Sequence, residues 1–357
     1  MSNNTTQQFL EEQVQDALEN EQALNIQGFG SKRFYGNTSI DGKTLDTSIH
    51  SGIVTYVPSE LCITVKAGTP LKELEAALEK NNQILPFEPP HFGENSSIGG
   101  IIATGMSGPR RAYSGSVRDA ILGVKIINGF GKTVSFGGQV MKNVAGYDVS
   151  RLLVGSLGTL GVILELSIRV IPKPEVEKTV ILPSNQSDAI KYFNSIRKAG
   201  LPISATCHVD EEVHIRLAGS NTHINHLIEK KHWHCMDGAD AFWESIRNQT
   251  HTFFSDSDKP LWRMSVAAAS SPSVQLDNHQ LVEWGGALRW IKSKSPPNVI
   301  QGVAKKRDGE AILFNGEMAG VDAFPSPEKI MFELHERLKR KLDPKGIFNP
   351  DRMYKGL

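Results

Sequence analysis

The sequence predicts an α+β protein built from two units, and three observations carry that prediction. At 357 residues the chain is longer than one ordinary core organises. Short predicted strands and helices succeed one another along the chain, in the order β-α-β-β-α beyond the midpoint, which suits small sheets with helices packed on them and not a doubly wound parallel sheet. Between the two halves stands Pro172-Lys173-Pro174, whose backbone restrictions favour an extended linker.

The first element is a helix over Gln7 to Leu18, with Leu10, Val14, Ala17 and Leu18 at helical spacing, leading into a strand at Ala23 to Gln27. Directly after that strand comes Gly28-Phe29-Gly30-Ser31-Lys32, where main-chain N–H groups can face a ligand. Ile53 to Val57 and Leu61 to Lys66 read as strands. A helix follows with Leu71, Leu74, Ala77 and Leu78 on one face, Thr69 as its N-cap and Pro70 in its first turn. From Leu85 to Gly108, Pro86, Pro89, Pro90, Gly93, Gly99, Gly100, Gly105 and Gly108 leave little room for regular structure. The interleaved Ile98, Ile101, Ile102 and Met106 demand burial, so this long loop reads as functional. Ala120 to Asn128 and Thr133 to Phe136 flank Gly129-Phe130-Gly131-Lys132 as a hairpin, Asp148 to Gly155 reads as a helix, and Val162 to Ile171 as a strand.

Beyond the linker the order is strand (Thr179 to Pro183), helix (Ser187 to Ala199), strands (Ile203 to Val209 and Val213 to Leu217) and helix (Thr222 to Lys230). This predicts a smaller α/β unit whose antiparallel sheet carries helices on one side. Pro327 to Leu342 forms an amphipathic helix, ended by the run Asp343 to Pro350.

Bulk properties exclude several classes. Lys plus Arg equals Asp plus Glu at 39 each, so no net basic field draws the chain to a nucleic acid. Met1 to Gln8 lacks the pattern of a secretory signal. The apolar stretch Leu152 to Leu164 is shorter than the roughly 20 residues of a membrane span. The expected location is cytoplasmic, with at most peripheral association with the inner face of the membrane through partners. Cys62, Cys207 and Cys235 stand far apart and form no Cys-x-x-Cys pair, so no metal or iron–sulfur site is expected.

Three glycine-rich stretches, near 28, 99 and 158, share one chemistry. A bulky diphosphate cofactor needs close backbone approach from several sides, and a Cβ at those points would push it away. Each stretch taken alone reads as an ordinary turn; the three together point to a site. The site is not a Rossmann one, because Gly28-Phe29-Gly30 lacks the third glycine and runs into Arg33-Phe34-Tyr35 with no helix. No P-loop pattern occurs either.

The runs Ser97 to Gly105, Tyr113 to Asp119, Lys142 to Asp148 and Gly155 to Ile163, in that order and spacing, resemble the FAD domain of the vanillyl-alcohol-oxidase, or p-cresol methylhydroxylase (PCMH), type flavoproteins. Pro86-Phe87-Glu88-Pro89-Pro90-His91-Phe92-Gly93 and Ser107-Gly108-Pro109-Arg110-Arg111 are similar, more specifically, to the FAD-binding subunits of bacterial glycolate oxidases, and the run Leu342 to Pro350 to the closing motif of that superfamily. The resemblance implies a PCMH-type FAD domain over 1–173, with subdomains of about 1–85 and 86–173. It also implies a cap domain over 174–320 and a segment, 321–357, that returns to the FAD domain.

On this resemblance Gln27, Gly28, Gly30, Ser31 and Lys32 wrap the pyrophosphate, and Pro90, Ser97, Ile98, Gly99, Gly100 and Gly105 line its other side and the flavin. Gly158, Gly161 and Ile163 meet the adenosine portion. Tyr113, Ser116 and Asp119 pass the isoalloxazine, although Asp119 has an equal reading as a cap on the following strand. Covalent flavin in some relatives uses a histidine of the first glycine loop; Gln27 to Lys32 contains none, so dissociable FAD is expected.

Oxidising a 2-hydroxy acid needs a cation for the carboxylate and a base for the hydroxyl proton. Relatives that oxidise D-2-hydroxy acids carry His-Gly-Asp-Gly-Asn in the cap, and this chain has no such run. The remaining candidates are His208, His214, Arg216, Arg263 and Arg289. The cluster His223, His226, His232, His234 and Cys235 matches no metal spacing and reads as a polar helix end and loop. The resemblance therefore implies an FAD subunit of a glycolate dehydrogenase, passing electrons from a small 2-hydroxy acid, in a complex with a second flavin subunit and an iron–sulfur subunit. The rival readings are a stand-alone FAD oxidase or dehydrogenase of another alcohol or sugar acid, and a structural subunit without catalysis.

Overall fold

The computed structural model describes residues 3–38, 41–138, 148–255, 258–273, 275–277, 279–318 and 320–357. Of the run Lys142 to Asp148, all but Asp148 lies outside them. The chain divides into two compact units. One comprises Met1–Met106, Val117–Pro172 and Ser326–Leu357; the other comprises Ser107–Ser116 and Lys173–Pro325.

The first unit is organised by a five-stranded antiparallel sheet, in the order Ile53–Val57, Cys62–Lys66, Val162–Arg169, Ile121–Ile127 and Thr133–Gly137. Its inner strands are nearly continuous apolar runs because they are buried: every residue of Cys62–Lys66 is covered. The helix Leu71–Glu79 turns Leu71, Leu74 and Leu78 into this core, the one face that its i, i+3, i+7 spacing allows. A second, smaller core gathers Leu10, Val14 and Ala17 of the helix Asn3–Glu19 with Leu24, Leu45, Ile347 and Phe348. There the strand Leu24–Gln27 pairs in parallel with Lys43–Asp46, and Leu24 also bridges to Phe348. The closing run is thus part of the wall beside the first glycine loop.

Three local expectations change. The Pro/Gly-rich stretch contains a helix, Ile98–Thr104, despite its two glycines. Ser97 caps it, accepting a hydrogen bond from the Gly100 N–H, and Gly105 ends it at φ 66°, a conformation that side chains disfavour. Thr69 is not an N-cap: its hydroxyl is held by the main chain of Gly52, and the helix begins after Pro70. In place of the helix over Asp148 to Gly155 there is a 3₁₀ turn, Val149–Leu152.

The second unit carries an eight-stranded antiparallel sheet. Its order is His234–Cys235, Val176–Pro183, Glu212–Gly219, Ile203–Val209, Gln280–Glu283, Leu288–Lys292, Leu261–Ser265 and Glu310–Asn315. The helices Gln186–Lys198 and Asn221–Lys231 stand where the sequence predicts them. The strands beyond residue 260 went unpredicted because Gln280–Glu283 and Leu288–Lys292 are buried throughout and show no alternation.

Candidate cofactor-binding site

The three glycine-rich stretches meet in the first unit around one cleft that is partly open to solvent. Gln27, Gly28, Gly30, Ser31 and Lys32 line it from the end of the strand Leu24–Gln27, Ser97, Gly99 and Gly100 from the start of the helix Ile98–Thr104, and Gly158, Gly161 and Ile163 from the third stretch. The loops are packed tightly: a Cβ on Gly28 would collide with Ser97 Oγ. Gly99 is required for a different reason, since its Cβ would lie 2.8 Å from that of Ala67, under the helix.

The loops differ in what they offer a ligand. The Ile98 and Gly99 N–H groups already donate to the carbonyls of Thr69 and Ala67, at 3.0 and 2.8 Å, and the Gly100 N–H to Ser97 Oγ at 3.2 Å. The second stretch therefore supplies shape more than donors. In the first loop, by contrast, the N–H groups of Phe29, Gly30, Ser31 and Lys32 make no hydrogen bond among the described residues. Consecutive amides of this kind form an anion-binding concavity.

The electrostatics agree. In a chain of zero net charge, the described residues that line the cleft include Lys32, Arg33 and Arg352 and no Asp or Glu. Lys32 is buried, and burial pushes its ammonium down to about 8. Arg352 donates to the carbonyls of Arg33 and Tyr35, both at 2.7 Å, and to Asn37 O. Asn349 accepts from the Ile26 N–H at 2.7 Å and donates to Leu157 O at 2.7 Å, tying the first strand to the third glycine stretch. Behind it Lys339 donates to Thr159 O, Phe348 O and the carboxylate of Asp343 at 2.7 to 2.8 Å.

The other predicted residues lie off the cleft lining. Ile98 is fully buried in the core, Gly105 caps the helix, and Pro90 is buried. Asp119 is exposed in the short helical turn Val117–Ala120 ahead of the strand Ile121–Ile127. Tyr113 and Ser116 group with the second unit, where the Tyr113 hydroxyl bonds Thr206 Oγ1 at 3.0 Å and is pushed up to about 12 by burial. Thr47, Asn349 and Arg352 went unpredicted as lining residues. The similarity of the closing run to its superfamily motif signalled Asn349, whereas Arg352 lies two residues beyond that run.

In the second unit the candidates for substrate chemistry are mostly engaged. Arg289 is wholly buried and donates to the carbonyls of Ser270, Ser271 and Gly286. Arg216 bonds Ser204 Oγ at 3.0 Å and pairs with Glu177 at 3.5 Å. His208 Nε2 lies 2.8 Å from Ser184 O, and burial lowers its affinity for a proton. His214 stacks on Phe242 at 4.1 Å. Arg263 sits 5.2 Å above the ring of Trp284. His223, His226, His232, His234 and Cys235 are exposed, and among the described residues no three His, Cys, Asp or Glu side chains converge.

The model of the FAD binding domain family matches residues 4–137. The glycolate oxidase subunit GlcE of Escherichia coli is 44% identical over 347 residues, spanning 97% of both chains. The glycolate oxidase subunit GlcD of Bacillus subtilis is 32% identical over 163 residues, 45% of this chain and 34% of that one. Among solved structures, an alkyldihydroxyacetonephosphate synthase superposes over 96% of this chain and 75% of its own with a TM-score of 0.66 at 16% identity, a likeness of fold alone.

Proposed function

The chain belongs to the family of the glycolate oxidase subunit GlcE, and on that premise we propose that it is the FAD-binding subunit of a glycolate dehydrogenase complex that oxidises glycolate to glyoxylate. The observation that carries the reading is the cleft itself: among the described residues, a cradle of loops with unbonded amides on one side, three cations around it and no acid. These features fit a dinucleotide diphosphate. When bound, FAD supplies a redox centre that can take up and pass on two electrons. The residues of this chain orient it: the loop from Gly28 to Lys32 binds the pyrophosphate, Ser97 and Gly100 keep the opposite wall low, and Gly158, Gly161 and Ile163 flank the adenosine portion.

In this reading the first unit holds the cofactor and the second recognises substrate or a partner subunit. Arg216 and Arg289 are spent on internal hydrogen bonds, and the histidine run of D-2-hydroxy-acid dehydrogenases is missing. Both facts favour an electron-carrying role beside a second flavin subunit and an iron–sulfur subunit, with substrate oxidised on the partner. Purification of the chain alone and with co-expressed neighbours, each assayed for flavin, iron and glycolate-dependent dye reduction, tests the proposal. Flavin in the lone chain, with dye reduction only in the complex, is the expected result. A lone chain that takes up no FAD refutes it, and turnover of a different alcohol by the lone chain supports the stand-alone reading.

A further inference from the structure

The helix Lys329–Leu342 is amphipathic in sequence, yet of its 14 residues only Lys339 is buried. Ile330, Met331 and Leu334 are 74%, 49% and 48% exposed, although the apolar stripe of a helix ordinarily faces a core. Single exposed apolar residues need no explanation, but these share a face. At helical spacing Ile330, Leu334 and Leu338 stack in one row of about 12 Å, with Met331 beside it. Leu338 joins the row to the body of the first unit. It packs partly on the main core and lines a largely apolar groove, whose other wall carries Leu160 and Leu152, the latter 39% exposed. Met353 and Leu357 of the C-terminal segment line the same groove.

The charges along the free edge of the row have one sign. Arg337 and Lys341 stand three residues beyond Leu334 and Leu338, on the side away from the groove, and both are exposed. Among the described residues neither makes a hydrogen bond or an ion pair. Glu333 and Glu336 lie further round the helix, and Glu336 is paired with Arg340 at 3.4 Å.

We propose that this row and groove seat another subunit of the complex, which presents an apolar segment bordered by Asp or Glu side chains. This rests on the reading above, in which the chain acts beside partner subunits, and adds where one of them docks. The groove is concave and largely apolar, so it takes protruding side chains, which a protein segment has and a bilayer surface lacks. The unpaired cations at the border take carboxylates. A second copy of this chain fits less well. A two-fold pair uses the same patch twice, and an antiparallel one would set Arg337 and Lys341 against their own counterparts.

The test uses the full chain co-expressed with its neighbouring subunits and purified through a tag on the partner, with assembly read by mass photometry over a dilution series. Leu334→Glu, Ile330→Glu and the double change Arg337→Gln with Lys341→Gln are compared with Val299→Glu, which alters a similarly exposed apolar residue of the other unit. Each should leave the flavin content of the lone chain unchanged and its melting temperature within about 3 °C of the wild type, because the altered side chains face water. The row and border variants should hold the partner about 30-fold more weakly, the scale of an interface hot spot, and Val299→Glu should hold it as the wild type does. In the double variant the remaining affinity should also depend less on salt. Row variants that assemble with wild-type affinity, or a Val299→Glu chain that fails equally, overturn the docking site and leave the complex in place. A wild type that captures no co-expressed subunit overturns it together with the reading of the chain as part of a complex. Two further results overturn it in favour of another occupant. A lone wild type that is dimeric, with Leu334→Glu monomeric, assigns the surface to a second copy; binding to vesicles of anionic phospholipid that Leu334→Glu abolishes assigns it to a membrane.

Discussion

Gly28 and Ser97 are 69 positions apart in the chain, yet one methyl group should make them interfere. An ideal Cβ on Gly28 would overlap Ser97 Oγ and stand 3.1 Å from Ser97 Cβ. Overpacking of this kind costs about 1–3 kcal/mol, because two loops held by hydrogen bonds must part. Ser97→Ala has a separate cost of about 1 kcal/mol, since it strips the N-cap from the helix Ile98–Thr104 and leaves the Gly100 N–H without its acceptor. In the double variant the obstructing oxygen is gone, so Gly28→Ala becomes cheaper there than in the wild type. A coupling of about 1 kcal/mol follows, with the double variant more stable than the sum of the singles. Urea unfolding followed by far-ultraviolet circular dichroism is the appropriate assay. Tryptophan fluorescence is not, because all five tryptophans, from Trp233 to Trp290, belong to the second unit. Single costs that add to within about 0.5 kcal/mol would falsify the convergence of the two loops, and with it the cleft.

Lys339→Met should be the more damaging change, at about 3–5 kcal/mol, because it leaves the buried Asp343 carboxylate without its cation and frees Thr159 O and Phe348 O; a thermal melt within a degree of the wild type would refute the bracing role given to Lys339. Stability should fall on acidification from about pH 6.5 toward 4, since burial, aided by the Lys66 charge, holds His50 at about 4, and burial beside His251 and His208 does the same for His214. Each folded value lies below the ordinary one, so the unfolded chain binds the extra proton there, at up to about 1.4 kcal/mol per pH unit for each group. His50→Gln and His214→Gln should each flatten that acid limb, and an unchanged slope counts against the assignment. Acid precipitation of the holoprotein should release all of its FAD, because no His or Cys among the described residues lines the cleft; yellow colour retained in the washed pellet would show a covalent link.

What the sequence determined alone is the set of features that depend on near neighbours. The helix at Leu71, Leu74 and Leu78, the hairpin around Gly129 to Lys132 and the three glycine stretches are legible because period, turn chemistry and missing side chains act within a few residues. The likeness of the closing run to a known motif was legible too, but not its use. That Asn349 ties Ile26 to Leu157, that Arg352 reaches Arg33 and Tyr35, and that Thr69 serves Gly52 instead of its own helix are bonds between distant segments. The buried strands after residue 260, and the engagement of Arg216 and Arg289, escaped for the same reason. Whether an amide, a carbonyl or a charge is free for a ligand depends on which far part of the chain has already met it, and only the folded chain decides that.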